Sequence, residues 1–93
     1  MAKFAVTKSV TAQNTFSDKV KLHGQYNISI SGTFVATVVV QRSFDDGSNW
    51  HNVDSSTVPI QTFGTEPEDD IVYRIGVETG GYTSGTVVGR LSQ

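Results

Sequence analysis

Alternation with a period of two is the feature that most constrains this chain. In Gln25–Ser31 the apolar residues Tyr26, Ile28 and Ile30 are interleaved with Gln25, Asn27, Ser29 and Ser31. In 71–79 Ile71, Tyr73, Ile75 and Val77 are interleaved with Val72, Arg74, Gly76 and Glu78. Successive side chains of a strand point to opposite faces, so both stretches read as strands with one face toward a core. Good helix formers are scarce in any window of useful length.

The rest of the chain agrees. Val, Thr and Ser are abundant, and β-branched side chains fit a pleated surface. Leu occurs only at Leu22 and Leu91. Residues 3–22 read as two short strands anchored by Phe4, Val6, Phe16, Val20 and Leu22, joined through Thr11–Thr15. Ser31-Gly32 reads as a turn. Residues 34–43 read as the longest strand, with Ala36, Val38 and Val40 facing inward. Residues 48–54 return antiparallel and bring Trp50 and Val53. Pro59 makes 57–63 an edge strand or extended loop. Gly64–Asp70 reads as a loop, Gly80-Gly81 as a turn, and 85–92 as a closing strand with Val87, Val88 and Leu91. The spacing predicts one all-β domain over 1–93, a small antiparallel β-sandwich or jelly-roll-like barrel, with 1–15 as an extended N-terminal arm.

Composition narrows the function classes. Of 93 residues, 37% are hydrophobic and 17% charged, which suits a folded domain and not a disordered tail. Net charge is −2 with no basic stripe, so no nucleic-acid partner is expected. There is no cysteine, which removes disulfides, thiolate metal sites and cysteine nucleophiles. The start Met1-Ala2-Lys3-Phe4 carries no apolar signal core, and no apolar run is long enough for a membrane helix, so no membrane is expected.

No catalytic set is nominated. His23 and His51 are the only histidines, and neither paired-His spacing nor a G-x-S-x-G turn occurs. No catalytic residue, cofactor or metal is expected. Glu66, Glu68, Asp69 and Asp70 supply carboxylates suited to Ca²⁺ but lack the spacing of a calcium loop, and a solvated acidic loop is the simpler reading. Trp50, Tyr82 and Tyr26 are aromatic rings of the kind that stack on a sugar, which keeps a carbohydrate-binding β-module as an alternative.

Residues 43–50 read Ser43-Phe44-Asp45-Asp46-Gly47-Ser48-Asn49-Trp50. The stretch resembles the Asp-box, S-x-D-x-G-x-[TS]-W, with Ser43, Asp45, Gly47 and Trp50 matching and Asn49 departing. An Asp carboxylate accepts turn amides, a glycine supplies positive φ, and a Trp packs back over the hairpin. The resemblance implies a structural staple.

A wider resemblance spans two stretches. Ser31-Gly32-Thr33-Phe34 runs through Val38-Val39-Val40-Gln41-Arg42-Ser43-Phe44-Asp45-Asp46-Gly47 to Trp50. Tyr73-Arg74-Ile75-Gly76-Val77 is followed by Thr79-Gly80-Gly81-Tyr82-Thr83-Ser84-Gly85-Thr86. Together they resemble small β-rich virion structural proteins of tailed bacteriophages, with Asp46 where a Gly is frequent. That resemblance implies a non-enzymatic component of a virion assembled in the host cytoplasm. It would be a capsid decoration or cementing protein, or else a tail or connector component. The implied partners are the major capsid protein or another virion protein, and further copies of this chain, with a trimer favoured. Expected contact surfaces are the outward faces of 34–43 and 71–79 and the N-terminal segment.

Overall fold

The computed structural model describes residues 4–93. They form seven strands: β1 (Ala5–Val10), β2 (Thr15–Phe16), β3 (Val20–Ala36), β4 (Val38–Ser43), β5 (His51–Ser56), β6 (Ile60–Val77) and β7 (Tyr82–Ser92). Every pairing is antiparallel. The order is β1-β7-β3-β6-β4-β5, with β2 beside β6. The all-β, antiparallel, single-domain architecture expected from the alternation is thus the one the chain adopts. Its two layers belong to one continuous hydrogen-bonded sheet.

That sheet doubles over at β6. The first part of β6 pairs with β3 from Ile30↔Ile60 to Gly24↔Glu66, and pairing resumes at Leu22↔Ile71. Four residues, Pro67 to Asp70, therefore stand opposite the single residue His23, and Asp70 takes a positive φ of 63°. An excess of residues on one strand bends it and strengthens its twist. Beyond the bend, β6 pairs with β4 on one side, Val39↔Gly76 to Ser43↔Val72. On its other side lie β2 and the start of β3.

The core fills the fold-over. Tyr26, Ile28, Ile30, Val38, Val40, Ile71, Tyr73, Ile75, Val77, Val87 and Leu91 are all buried. Gly89 of β7 lies against Ile75 of β6, where an added Cβ would come within 3.0 Å of the Ile75 side chain. The two strands thus face one another across the core without sharing a ladder. Each such aliphatic side chain contributes roughly 1.5–3 kcal/mol on burial.

Several boundaries differ from the sequence expectation. Ser31-Gly32 is no turn, for β3 runs straight through it. Gly32 holds φ at 102° and a Cβ there would lie 2.3 Å from the Thr86 carbonyl oxygen, so this glycine serves close strand approach. The long strand expected over 34–43 is broken at Thr37, whose amide bonds the Gly81 carbonyl at 2.7 Å. Gly64–Asp70, read as a loop, belongs to β6. Phe4, expected as a core anchor, is exposed, and so is Val53. Val53 lies where the β4–β5 register slips between Val40↔Asp54 and Gln41↔Asn52. Within the expected arm 1–15, Ala5–Val10 is an edge strand paired with β7, and residues 1–3 lie outside the described residues.

Candidate functional site

The β4–β5 turn is a closed hydrogen-bond ring. Ser43 Oγ donates to Asp45 Oδ1 at 2.6 Å and accepts from the Gly47 amide at 2.9 Å. Asp45 in turn accepts the Asn49 backbone amide at 2.8 Å and its side-chain amide at 2.7 Å. Asn49, the departure from the motif, thereby adds a second bond to the carboxylate. The Ser43 hydroxyl foremost, then the Asn49 donors, hold the Asp45 carboxyl down to about 2. Asp46 and Gly47 both take positive φ, 59° and 101°. Trp50 covers Gly47, its ring 3.3 Å from where a Cβ would stand. Lys19 ties the turn to the segment before β3, bonding Asp46 through both its carbonyl and its carboxylate at 3.0 Å.

From the turn, Trp50 reaches onto the outward face of β4 and β6. There the Arg74 guanidinium lies between two rings, 3.8 Å from the Phe16 centroid and 4.3 Å from that of Trp50. Gln41 Oε1 accepts from Arg74 Nε at 2.8 Å, and the Gln41 amide donates to Asn52 Oδ1 at 2.8 Å. Asn52 donates to Glu78 at 3.3 Å. Burial lowers the Arg74 pKa, with Glu78 opposing. This layer leaves Val39, Gln41, Ser43 and Val72 buried on the side turned away from the core. The outward faces of 34–43 and 71–79, expected as contact surfaces, are covered over this stretch.

The acidic segment is not one solvated loop. Glu66 is 1% exposed. It accepts the Tyr73 hydroxyl at 2.7 Å and the Glu68 amide at 3.0 Å, and pairs with Arg42. Burial pushes its carboxyl up, but the Tyr73, Glu68 and Arg42 donors outweigh that and hold it below the ordinary value. Asp69 and Asp70 stay exposed beside His23 and Lys21, at 3.3 and 3.2 Å. Among the described residues no three His, Asp or Glu side chains converge as a metal site. His51 lies beside Phe44, centroids 5.6 Å apart.

The rings considered as sugar platforms are engaged. Trp50 stacks on Arg74, Tyr26 is buried against Tyr73 with centroids 4.8 Å apart, and Tyr82 Oη bonds the Gly85 carbonyl at 2.7 Å.

What remains open is the side where the doubled sheet parts. Among the described residues, Ile60–Glu66 of β6 has a ladder partner only in β3, and β5 only in β4. Of the six large hydrophobic residues exposed among the described residues, Phe44, Val53, Val58 and Phe63 fall on β5, on β6 and in the connections flanking them. Phe63 is the most exposed of the six, at 68%. It lines a shallow groove of about 420 Å³ together with Asn27, Gln61 and Arg90. Alternation from Ile60 sets Phe63 on the outward face, with Gln61 and Thr65. Pro59, read from the sequence as the mark of an edge strand or extended loop, stands just before this edge.

Comparison with protein-family models, with curated proteins and with solved structures finds no match to this chain.

Proposed function

We propose that this chain is a virion structural protein, a capsid decoration or cementing module that works by docking. The carrying observation is a set of exposed large apolar residues, Phe44, Val53, Val58 and Phe63, along β5, the start of β6 and their connections, on a framework whose outward β4–β6 face is sealed by the Phe16–Arg74–Trp50 layer. Large apolar side chains left in water cost solvation unless a partner covers them, and an accumulation of them at the surface marks an interaction site. The two-stretch likeness to small virion proteins of tailed phages supplies the class of partner, a shell subunit.

Quantitative mass spectrometry of purified particles tests this. On the order of hundreds of copies per particle means a shell lattice position, and roughly a dozen or fewer means the connector or tail, given the symmetry of such assemblies. Particles that lack the chain altogether overturn the proposal. Within it, Phe44→Ser and Val53→Ser together should lower the occupancy of empty shells while the melting temperature holds.

A further inference from the structure

Among the described residues β1, β5 and the Ile60–Glu66 stretch of β6 each leave one side without a ladder partner, and these edges are not alike. On β1, Lys8 shares the inward row with Val6 and Val10 and is half-buried between them. An inward charge on an edge strand blocks pairing with another strand. On β5, the ladder slips at Val53 and the neighbouring Asp54 adds a charge, which is a second blocking device. The stretch Ile60–Glu66 carries neither. Its seven residues pair with β3 in unbroken register, Pro59 and Pro67 lie just outside it, and its only charge, Glu66, is buried and paired. Its inward residues Ile60, Thr62 and Gly64 are only half-buried, so the core itself is open along this edge.

We propose that Ile60–Glu66 pairs antiparallel with the same stretch of a second copy, about a two-fold axis through Phe63. The segment is self-complementary in that register. Phe63 meets Phe63 of the second copy, Gln61 meets Thr65, and Thr62 meets Gly64. Ile60 meets Glu66, so no charge faces its like. Cross-strand aromatic pairs are among the favourable ones, and a directly opposed pair sets Cβ atoms about 4.5–5.5 Å apart. The pairing gives the free backbone groups of β6 a ladder, buries two Phe63 rings and joins both copies into one continuous sheet. It concerns the isolated chain and does not rest on the virion reading. A monomeric chain would overturn the pairing and leave shell binding to be decided by the particles themselves.

Sedimentation velocity from micromolar to about 1 mM, a range in which even weak contacts form, supplies the first test. The expected species has the mass of two chains, and Phe63→Lys, which opposes two like charges on the axis, weakens it roughly tenfold or more. Amide exchange in 60–66 should slow as concentration rises. Because the chain has no cysteine, Phe63→Cys in a glutathione redox buffer gives a second readout that survives any folding defect of the lysine variant. It should form a disulfide-linked pair much faster than Val35→Cys, which is also exposed but lies away from this edge. A single-chain mass at the highest concentration overturns the proposal. So does an assembly indifferent to Phe63→Lys, equal crosslinking at both positions, or the trimer expected from the sequence resemblance.

Discussion

Tyr73 donates its phenolic hydrogen to Glu66, seven residues back along the same strand, at 2.7 Å. Two residues of one strand meet in this way because β6 folds over between them. The bond therefore spans the bend that makes two layers from one sheet, and Arg42 of β4 closes it from the far side. Burial first, then Tyr26 and Glu66, raise the Tyr73 pKa, so the phenol remains a donor at any ordinary pH.

Tyr73→Phe should cost about 1.5–3 kcal/mol, the range for a hydrogen bond to a charged group. The Glu66 carboxyl is lowered on folding. Its stabilising contribution is therefore complete above the ordinary carboxylate value and is lost as pH falls through the depressed folded value. Glu66→Gln should remove that acid dependence, so denaturant midpoints of the variant should fall less steeply below pH 4.5 than those of the unaltered chain.

Asp45 carries a separate acid response. Its folded value of about 2 lies below the ordinary 3.8, so its contribution is complete above the ordinary value, is lost progressively as pH falls from there through about 2, and is gone below that. Trp50, the only tryptophan, packs on this turn and reports on it. Fluorescence should shift to the red near pH 2, and Asp45→Ala should show the shifted emission at neutral pH while the far-ultraviolet strand signal is retained.

Arg74→Lys should behave as a loss of packing. An ammonium group cannot lie flat between two rings, nor keep the bond that fixes Nε to Gln41. A loss of about 1–2 kcal/mol is expected in chemical denaturation, with added solvent exposure of Trp50 by acrylamide quenching.

Gly76→Ala should be more damaging than an added methyl suggests. The new Cβ would stand 2.1 Å from the Thr15 carbonyl oxygen and 2.7 Å from the Phe16 Cα, so β2 must move. Overpacking of this kind costs about 1–3 kcal/mol. Backbone shifts in nuclear magnetic resonance should concentrate at Thr15–Phe16 and around the Arg74 layer.

Where alternation was strict, the sequence was enough. Tyr26, Ile28 and Ile30, and then Ile71, Tyr73, Ile75 and Val77, lie inside as their period demands. The Ser43–Trp50 turn was equally visible, because its bonds are local. What escaped was long-range. Pro67 and the run of acids around it look like a loop, and nothing nearby in sequence announces that Arg42 and Tyr73 will meet Glu66 there. Val39, Gln41 and Arg74 look outward by period, yet Phe16 and Trp50 arrive from distant segments to cover them. The open edge escaped in part: Pro59 marked 57–63 as an edge strand or extended loop, but nothing local shows that Ile60–Glu66 pairs on one side only.

The position of β7 governs how this protein comes into being. It lies between β1 and β3, joining Ala5 to Ser92 on one side and Asn27 to Ser92 on the other. A growing polypeptide holds both neighbours ready yet cannot unite them until the eleven residues of that strand have left the ribosome. Closure of the sheet thus waits for the last strand of the fold to emerge, at the unhurried pace of distant β contacts. A fragment ending before Tyr82 would expose two unsatisfied ladders to its neighbours in the cell.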